Sequence, residues 1–286
     1  MFTNLCTNES NIDSIKKRSL IEIFLSCLEK GGEFQDKEII RDSCNGIHAL
    51  TNKGQDLDIL LSYECIPNLI LLLNQEDESL QNCSLSIIWN IAFGDDQQLD
   101  LLLQESVLES LFNIFKISNN EEVLVDILFI FANLVCGNLN QIQQVLDSGI
   151  LSEIFKIHRK EKFSNRLQIE LMWIITNLCT VGEDYQMGYL LDIGAFDFIV
   201  NVVLNYSLDK NIYYPCLISI NLLIQKIGKQ FISQANKKQV FNKIETLQDS
   251  ESNSIAIYSQ KIIEQFDNYN KKINLDQIFE KDELDI

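Results

Sequence analysis

Four apolar stretches of this chain each carry an asparagine at a corresponding place, and the asparagines keep step. Asn90, Asn133, Asn177 and Asn221 are separated by 43, 44 and 44 residues, in CSLSIIWNIAFG, VDILFIFANLVCG, IELMWIITNLCTVG and YYPCLISINLLIQKIG. A second landmark runs in phase with the first. Short polar-to-apolar turns open another helix at Ile66, Val107, Ile150 and Ala195, which lie 41, 43 and 45 residues apart. Two landmarks on one period of this length call for stacked supersecondary units, each unable to bury its apolar face alone, rather than a single closed core.

Only 2 prolines and 11 glycines interrupt the 286 residues, which argues for helices and against turn-rich β-structure. Each unit reads as a short, a medium and a long helix; in the third they are expected near 142–148, 150–158 and 166–180. Gly149 and Gly194 stand where the chain turns sharply, since glycine takes positive φ without steric cost. Cys65 and Ser106 hold that place in the first units, so the turn there is less sharp or strained. Asp147 and Asp192 are expected to cap the helices that follow. Pro67 and Pro215 both fit N-terminal turns, where a missing N–H costs little. Leu171, Trp173, Ile174, Ile175 and Leu178 leave the long helix little polar surface, as suits an element with neighbours on two sides. The array is expected over 19–270 without an internal boundary, between flexible segments at 1–18 and at 271–286, the latter acidic.

Lys and Arg number 23 against 41 Asp and Glu, giving a net charge of −18 and a pI near 4.5. General binding to a nucleic-acid backbone is disfavoured, whereas a basic partner is favoured. From Gln55 to Asn133, fourteen acidic residues face Lys116 alone. The opening residues lack a basic stretch followed by an apolar run, and no window holds 18 consecutive apolar residues, so neither export nor a membrane partner is expected. Eight scattered cysteines without a CxxC pair, and two histidines, His48 and His158, indicate free thiols in a reducing compartment, with no metal or other cofactor. Nucleophile, phosphate-loop and metalloprotease motifs are missing, and the chain is not expected to be an enzyme.

The phased phrases resemble the armadillo repeat, and within that family the importin alpha group of nuclear-import receptors. Trp173 and Asn177 match its long-helix motif, and GNLNQIQQVLDSGILSEIF, from Gly137 to Phe155, matches its linking portion. The resemblance covers roughly residues 40–230. It implies an all-α, right-handed superhelical solenoid of about five to six three-helix repeats. It also implies an adaptor present in cytoplasm and nucleus that binds extended basic localisation signals of cargo proteins, with an importin-beta-like carrier as a further partner. The implied peptide-binding residues are Asn90, Asn133, Asn177 and Asn221, with Trp173 and Phe129 as aromatic slots. Asp95, Asp96, Glu183 and Asp184 would serve as supporting acidic groups.

Two positions depart from the family's tryptophan row: Ser86 and Leu217 stand four residues before Asn90 and Asn221. Trp89 lies directly before Asn90, about 100° round the helix from it. Lys16, Lys17 and Arg18 are at most a vestige of the family's basic N-terminal arm. An asparagine deep in an apolar helix must satisfy its amide. Holding a peptide backbone does so, and capping carbonyls of the adjacent unit does so equally. The second option suits an alternative function, a scaffold for a folded partner without import activity.

Overall fold

The computed structural model describes residues 14–52, 56–104, 106–161, 163–205, 209–237 and 239–284, and every regular element among them is helical. Packing divides the chain into two compact units, Met1–Ile150 and Leu151–Ile286. The sequence marks no boundary inside 19–270, because a repeat period carries no sign of such a division.

In the first unit a leading pair, α1 (Ser14–Phe34) and α2 (Lys37–Leu50), precedes two complete triplets. These are α3 (Leu57–Leu61), α4 (Ile66–Leu73) and α5 (Glu78–Ile91), then α6 (Asp96–Gln104), α7 (Val107–Ile117) and α8 (Glu121–Leu134); α9 (Leu139–Asp147) starts a third. Long helices α2, α5 and α8 pack in one row, α4 and α7 in another, and α3, α6 and α9 in a third. Their buried positions are mostly Leu, Ile, Val and Phe.

Polar ladders hold the rows in register. Asp36, Asp77 and Asn120 cap the long helices, each side chain accepting N–H groups of the first turn at 3.0–3.3 Å. Successive caps are joined: Lys37 donates to Asp77, and Asn120 Nδ2 donates to Glu78 Oε1 at 2.8 Å. In the short row Gln98 Nε2 reaches Asp58 Oδ1 at 2.7 Å, and Gln141 Nε2 reaches Asp100 Oδ1 at 2.7 Å and Asp96 O at 2.6 Å. Lys17, expected as part of a vestigial arm, is bound instead to Asp56 at 2.7 Å from within α1.

The second unit holds α10 (Ile150–Lys160), α11 (Asn165–Val181), α12 (Asp184–Leu190), a π-helical turn (Leu191–Ala195) and α13 (Phe196–Asn205). It continues through α14 (Lys210–Lys237), α15 (Val240–Glu245) and α16 (Asn253–Leu284). α14 bends at Ile227 (φ −126°, ψ 36°), so its first part is a long helix and its remainder the short helix of the last triplet. Lys226 Nζ at this bend donates to Gly182 O at 2.9 Å, just past the C-terminus of α11. α16 runs through residues 271–284, where a tail was expected, and α1 starts at Ser14, inside the segment expected to precede the array.

The third triplet falls at 139–147, 150–160 and 165–181, in agreement with its expected positions. Gly149 (φ 71°) and Gly194 (φ 134°) make the sharp turns. In the first triplet Glu64, not Cys65, takes the left-handed conformation (φ 48°). Ser148 Oγ, rather than Asp147, accepts the N–H of Ile150, while Asp147 takes a bond from Gln143. Pro67 sits in a first turn as expected. Pro215 does not: α14 begins five residues earlier, and the Pro215 carbonyl accepts the hydroxyls of Thr176 and Ser219.

Asp184–Asn205 is long and apolar enough by composition to cross a membrane, although polar residues such as Asp192 and Asp197 interrupt it. In the fold it is two helices and a turn at Gly194, with 61% of its most apolar window buried. A Cβ at Gly149 would meet nothing within 4 Å. Gly149→Ala is therefore expected to cost about 1 kcal/mol of stability, from left-handed strain alone, measured as a lowered denaturant midpoint.

Candidate peptide-binding face

In each long helix the buried positions leave one stripe open. On α5 that stripe is Asn82, Ser86, Trp89 and, beyond its end, Phe93. On α8 it includes Asp126, Phe129 and Asn133, half-buried residues spaced i, i+3 and i+7 and so on one face. The stripes meet through their rings. Trp89 stacks on Phe129 with centroids 5.0 Å apart and planes at 26°, while Phe93 lies edge-on to Trp89 at 4.7 Å and 5.1 Å from Phe129. Phe93 is 39% exposed. Asn133 Nδ2 donates to Phe129 O at 3.1 Å, which orients the amide beside the ring.

Asn90 lies elsewhere. One helical step from Trp89, it is fully buried and donates to His48 O at 2.9 Å and Thr51 Oγ1 at 3.1 Å, at the end of the preceding long helix. It caps the adjacent unit.

In the second unit α11 carries Glu170, Trp173 and Asn177, again half-buried and again spaced i, i+3 and i+7. The order acid, ring, amide is the same as on α8. Asn221 is 95% buried beside a wholly buried Leu217, and its Oδ1 has no hydrogen-bond partner. The interhelical polar link next to it is made by Thr176 Oγ1, which reaches Pro215 O at 3.1 Å and Ser219 Oγ at 2.9 Å.

A family model described as Armadillo-like matches residues 46–156. A designed armadillo repeat protein solved in complex with the peptide (KR)4 superposes with a TM-score of 0.75 at 19% identity, over 85% of this chain and 98% of that one. The fold of the chain is of the armadillo type. Among curated proteins, importin subunit alpha-1a of Oryza sativa subsp. japonica is 24% identical over 120 residues, 42% of this chain and 23% of the rice protein. Importin subunit alpha-3 of Arabidopsis thaliana is 30% identical over 93 residues, 32% of this chain and 18% of its own length. The matched part thus spans less than a quarter of either importin.

The four acidic residues expected to support the site stand at the starts of short helices. Asp95 exchanges two bonds with Gln98, its Oδ1 accepting at 3.0 Å and its N–H donating at 3.1 Å. Asp96 accepts from Asn138 Nδ2 at 3.4 Å and from Gln141 Nε2 at its carbonyl. The Glu183 N–H donates to Gln186 Oε1 at 3.0 Å, and Asp184 stands in the first turn of α12. These groups serve the short-helix row. The acids that share a face with ring and amide are Asp126 and Glu170, which sequence reasoning passed over although their seven-residue offset from Asn133 and Asn177 was legible.

Charge is uneven between the two units. Residues 1–150 hold 23 acidic and 8 basic side chains, against 18 and 15 in residues 151–286.

Proposed function

We propose that this chain is an armadillo-repeat, importin-alpha-like adaptor, which binds an extended basic segment of a cargo protein and acts in import into the nucleus. The observation that carries the reading is the repeated triad on the long helices, Asp126–Phe129–Asn133 and Glu170–Trp173–Asn177. An amide can hold a peptide backbone, a ring can carry a cationic stem, and a carboxylate can meet its charged end. The excess of acid in the first unit supports fast capture of a basic chain. Partial similarity to two importin alpha subunits supports the import role, in which an importin-beta-like carrier is the further partner and the chain shuttles between cytoplasm and nucleus.

Calorimetric titration with a (KR)4 peptide tests the site. Saturable binding is expected at about 50 mM salt, weakened roughly tenfold at about 500 mM as the Debye length shrinks. Asn133→Ala and Asn177→Ala are each expected to weaken it about fivefold, near 1 kcal/mol per lost hydrogen bond. Absence of saturable heat at low salt rejects the reading. Buried Asn90 and Asn221 favour a second one, a scaffold for a folded partner; under it neither asparagine variant changes partner capture.

A further inference from the structure

A cavity of about 690 Å³ opens in the second unit between α10, α13 and the start of α11. It lies within the size range of sites that enclose a small ligand or a few groups of a peptide. Phe155 and Phe198 give it an apolar floor, and Gln168, His158 and Asn201 line its walls. Five buried side-chain polar atoms among the described residues have no hydrogen-bond partner, and two of them, Gln168 Oε1 and His158 Nδ1, belong to residues lining this one cavity. Gln168 is 2% exposed; its Nε2 donates to Phe163 O at 2.8 Å, while its Oε1 is an acceptor still unsatisfied. Each such orphan destabilises the fold until something satisfies it.

Two basic side chains, Arg159 and Lys160, and two acidic ones, Glu161 and Asp197, line the cavity, so no net charge selects an ionic occupant. Arg159 and Asp197 pair at 3.7 Å, two half-exposed side chains that offset one another's charge. Burial, with the nearby Arg159 charge, holds the His158 imidazole below its usual pKa and so neutral at pH 7. Its ring is wedged between Phe163 and Phe198, each centred 5.0 Å away. Asn205 Nδ2 donates to Asn201 Oδ1 at 2.8 Å, and both residues line the cavity. Amide groups beside aromatic rings, in a lining whose charges balance, match the chemistry of a peptide backbone that carries an apolar side chain.

We infer that this cavity is a second binding site, which takes a neutral peptide segment of a partner protein, its apolar side chain on Phe155 and Phe198 and a backbone N–H on Gln168 Oε1. The site is separate from the acid–ring–amide face and does not depend on its function.

With only two histidines in the chain, imidazole Cε1–H resonances give a direct readout. N-acetyl-leucinamide, titrated into the full chain at pH 7.5 to about 50 mM, is expected to move the His158 signal saturably, with a Kd of roughly 1–10 mM for a ligand of this size, and to leave His48 unmoved. Gln168→Leu should abolish the shift. Should that variant fail to fold, Asn201→Phe, at a half-exposed position on the wall, fills the cavity without touching Gln168 and should abolish it equally. A His158 signal that stays still in the native chain overturns the inference. So does a shift that persists in both variants, or one that sodium acetate or ethylammonium reproduces, which would mark an ion site.

Discussion

Replacing Asn90 by alanine is expected to lower the unfolding free energy by about 2–3 kcal/mol while leaving peptide affinity within about twofold of native. The amide is fully buried, and its Nδ2 serves the His48 carbonyl and the Thr51 hydroxyl at the end of α2. Truncation strips that carbonyl of its donor and leaves a small void, at roughly 1–3 kcal/mol for the orphan and more for the void. Alanine's better helix propensity returns only about 0.6 kcal/mol. Because the bond joins neighbouring long helices, the loss falls on the coupling between repeats, the term that governs stability in a stack. Equilibrium unfolding in urea gives the first number and calorimetry with (KR)4 the second. A loss below about 1 kcal/mol, or an affinity that drops with it, shows that Asn90 does not act as an internal cap.

Asn133→Ala should behave in the opposite way, costing affinity and little stability. The pair explains what a period can and cannot reveal. Asn90 and Asn133 occupy the same place in their repeats, and their shared phase reads naturally as a shared job. Burial separates them: Asn90 is enclosed, Asn133 half-open. What decides is the rotation of each helix about its own axis, which a repeat interval does not carry. A clue was present in CSLSIIWN, where the aromatic residue stands one place before the asparagine and not four, so that the two point about 100° apart. With Trp89 on the open stripe, Asn90 is turned into the stack. Asn221 follows the same logic, since the residue four places before it is the wholly buried Leu217.

Helix existence was legible because it rests on long apolar runs and scarce breakers. The cap ladder was legible too and went unread: Asp36, Asp77, Asn120 and Ser164 recur at 41, 43 and 44 residues, each just ahead of a long helix, and each accepts first-turn N–H groups. Pro215 misled in the usual direction for proline, which suits a first turn so well that a sixth position is not anticipated. The orphaned Gln168 was beyond reach of sequence, because whether a glutamine finds partners depends on what three separate helices bring to it. The same holds for the acid row, where Asp95 and Asp96 are spent on the short helices while Asp126 and Glu170 share the faces of the rings.

Trp89→Ala should then be the most damaging single change to peptide binding in the first unit, weakening (KR)4 about 30-fold, or near 2 kcal/mol. Trp89 is the ring that touches both others, stacked on Phe129 and edge-on to Phe93. Removing it takes away a surface for a cationic stem, worth roughly 0.5–2 kcal/mol. It also releases two aromatic contacts of about 0.5–1.5 kcal/mol each that hold Phe129 and Phe93 in place. The stack itself changes what the face accepts: with Trp89 and Phe129 at 5.0 Å, their facing sides are closed to a side chain, and a cation must lie across their outer faces and edges. A flat guanidinium stacks there better than a compact ammonium. An all-arginine octapeptide should therefore bind more tightly than an all-lysine one, and the preference should vanish in Trp89→Ala. Trp89→Phe keeps a ring in the cluster and is expected to stay within about threefold of native. Since the chain has only two tryptophans, Trp173→Phe leaves Trp89 as the sole indole, and its fluorescence should shift on titration with peptide. If that emission is unmoved at saturation, or Trp89→Ala binds like the native chain, the peptide does not run over these rings.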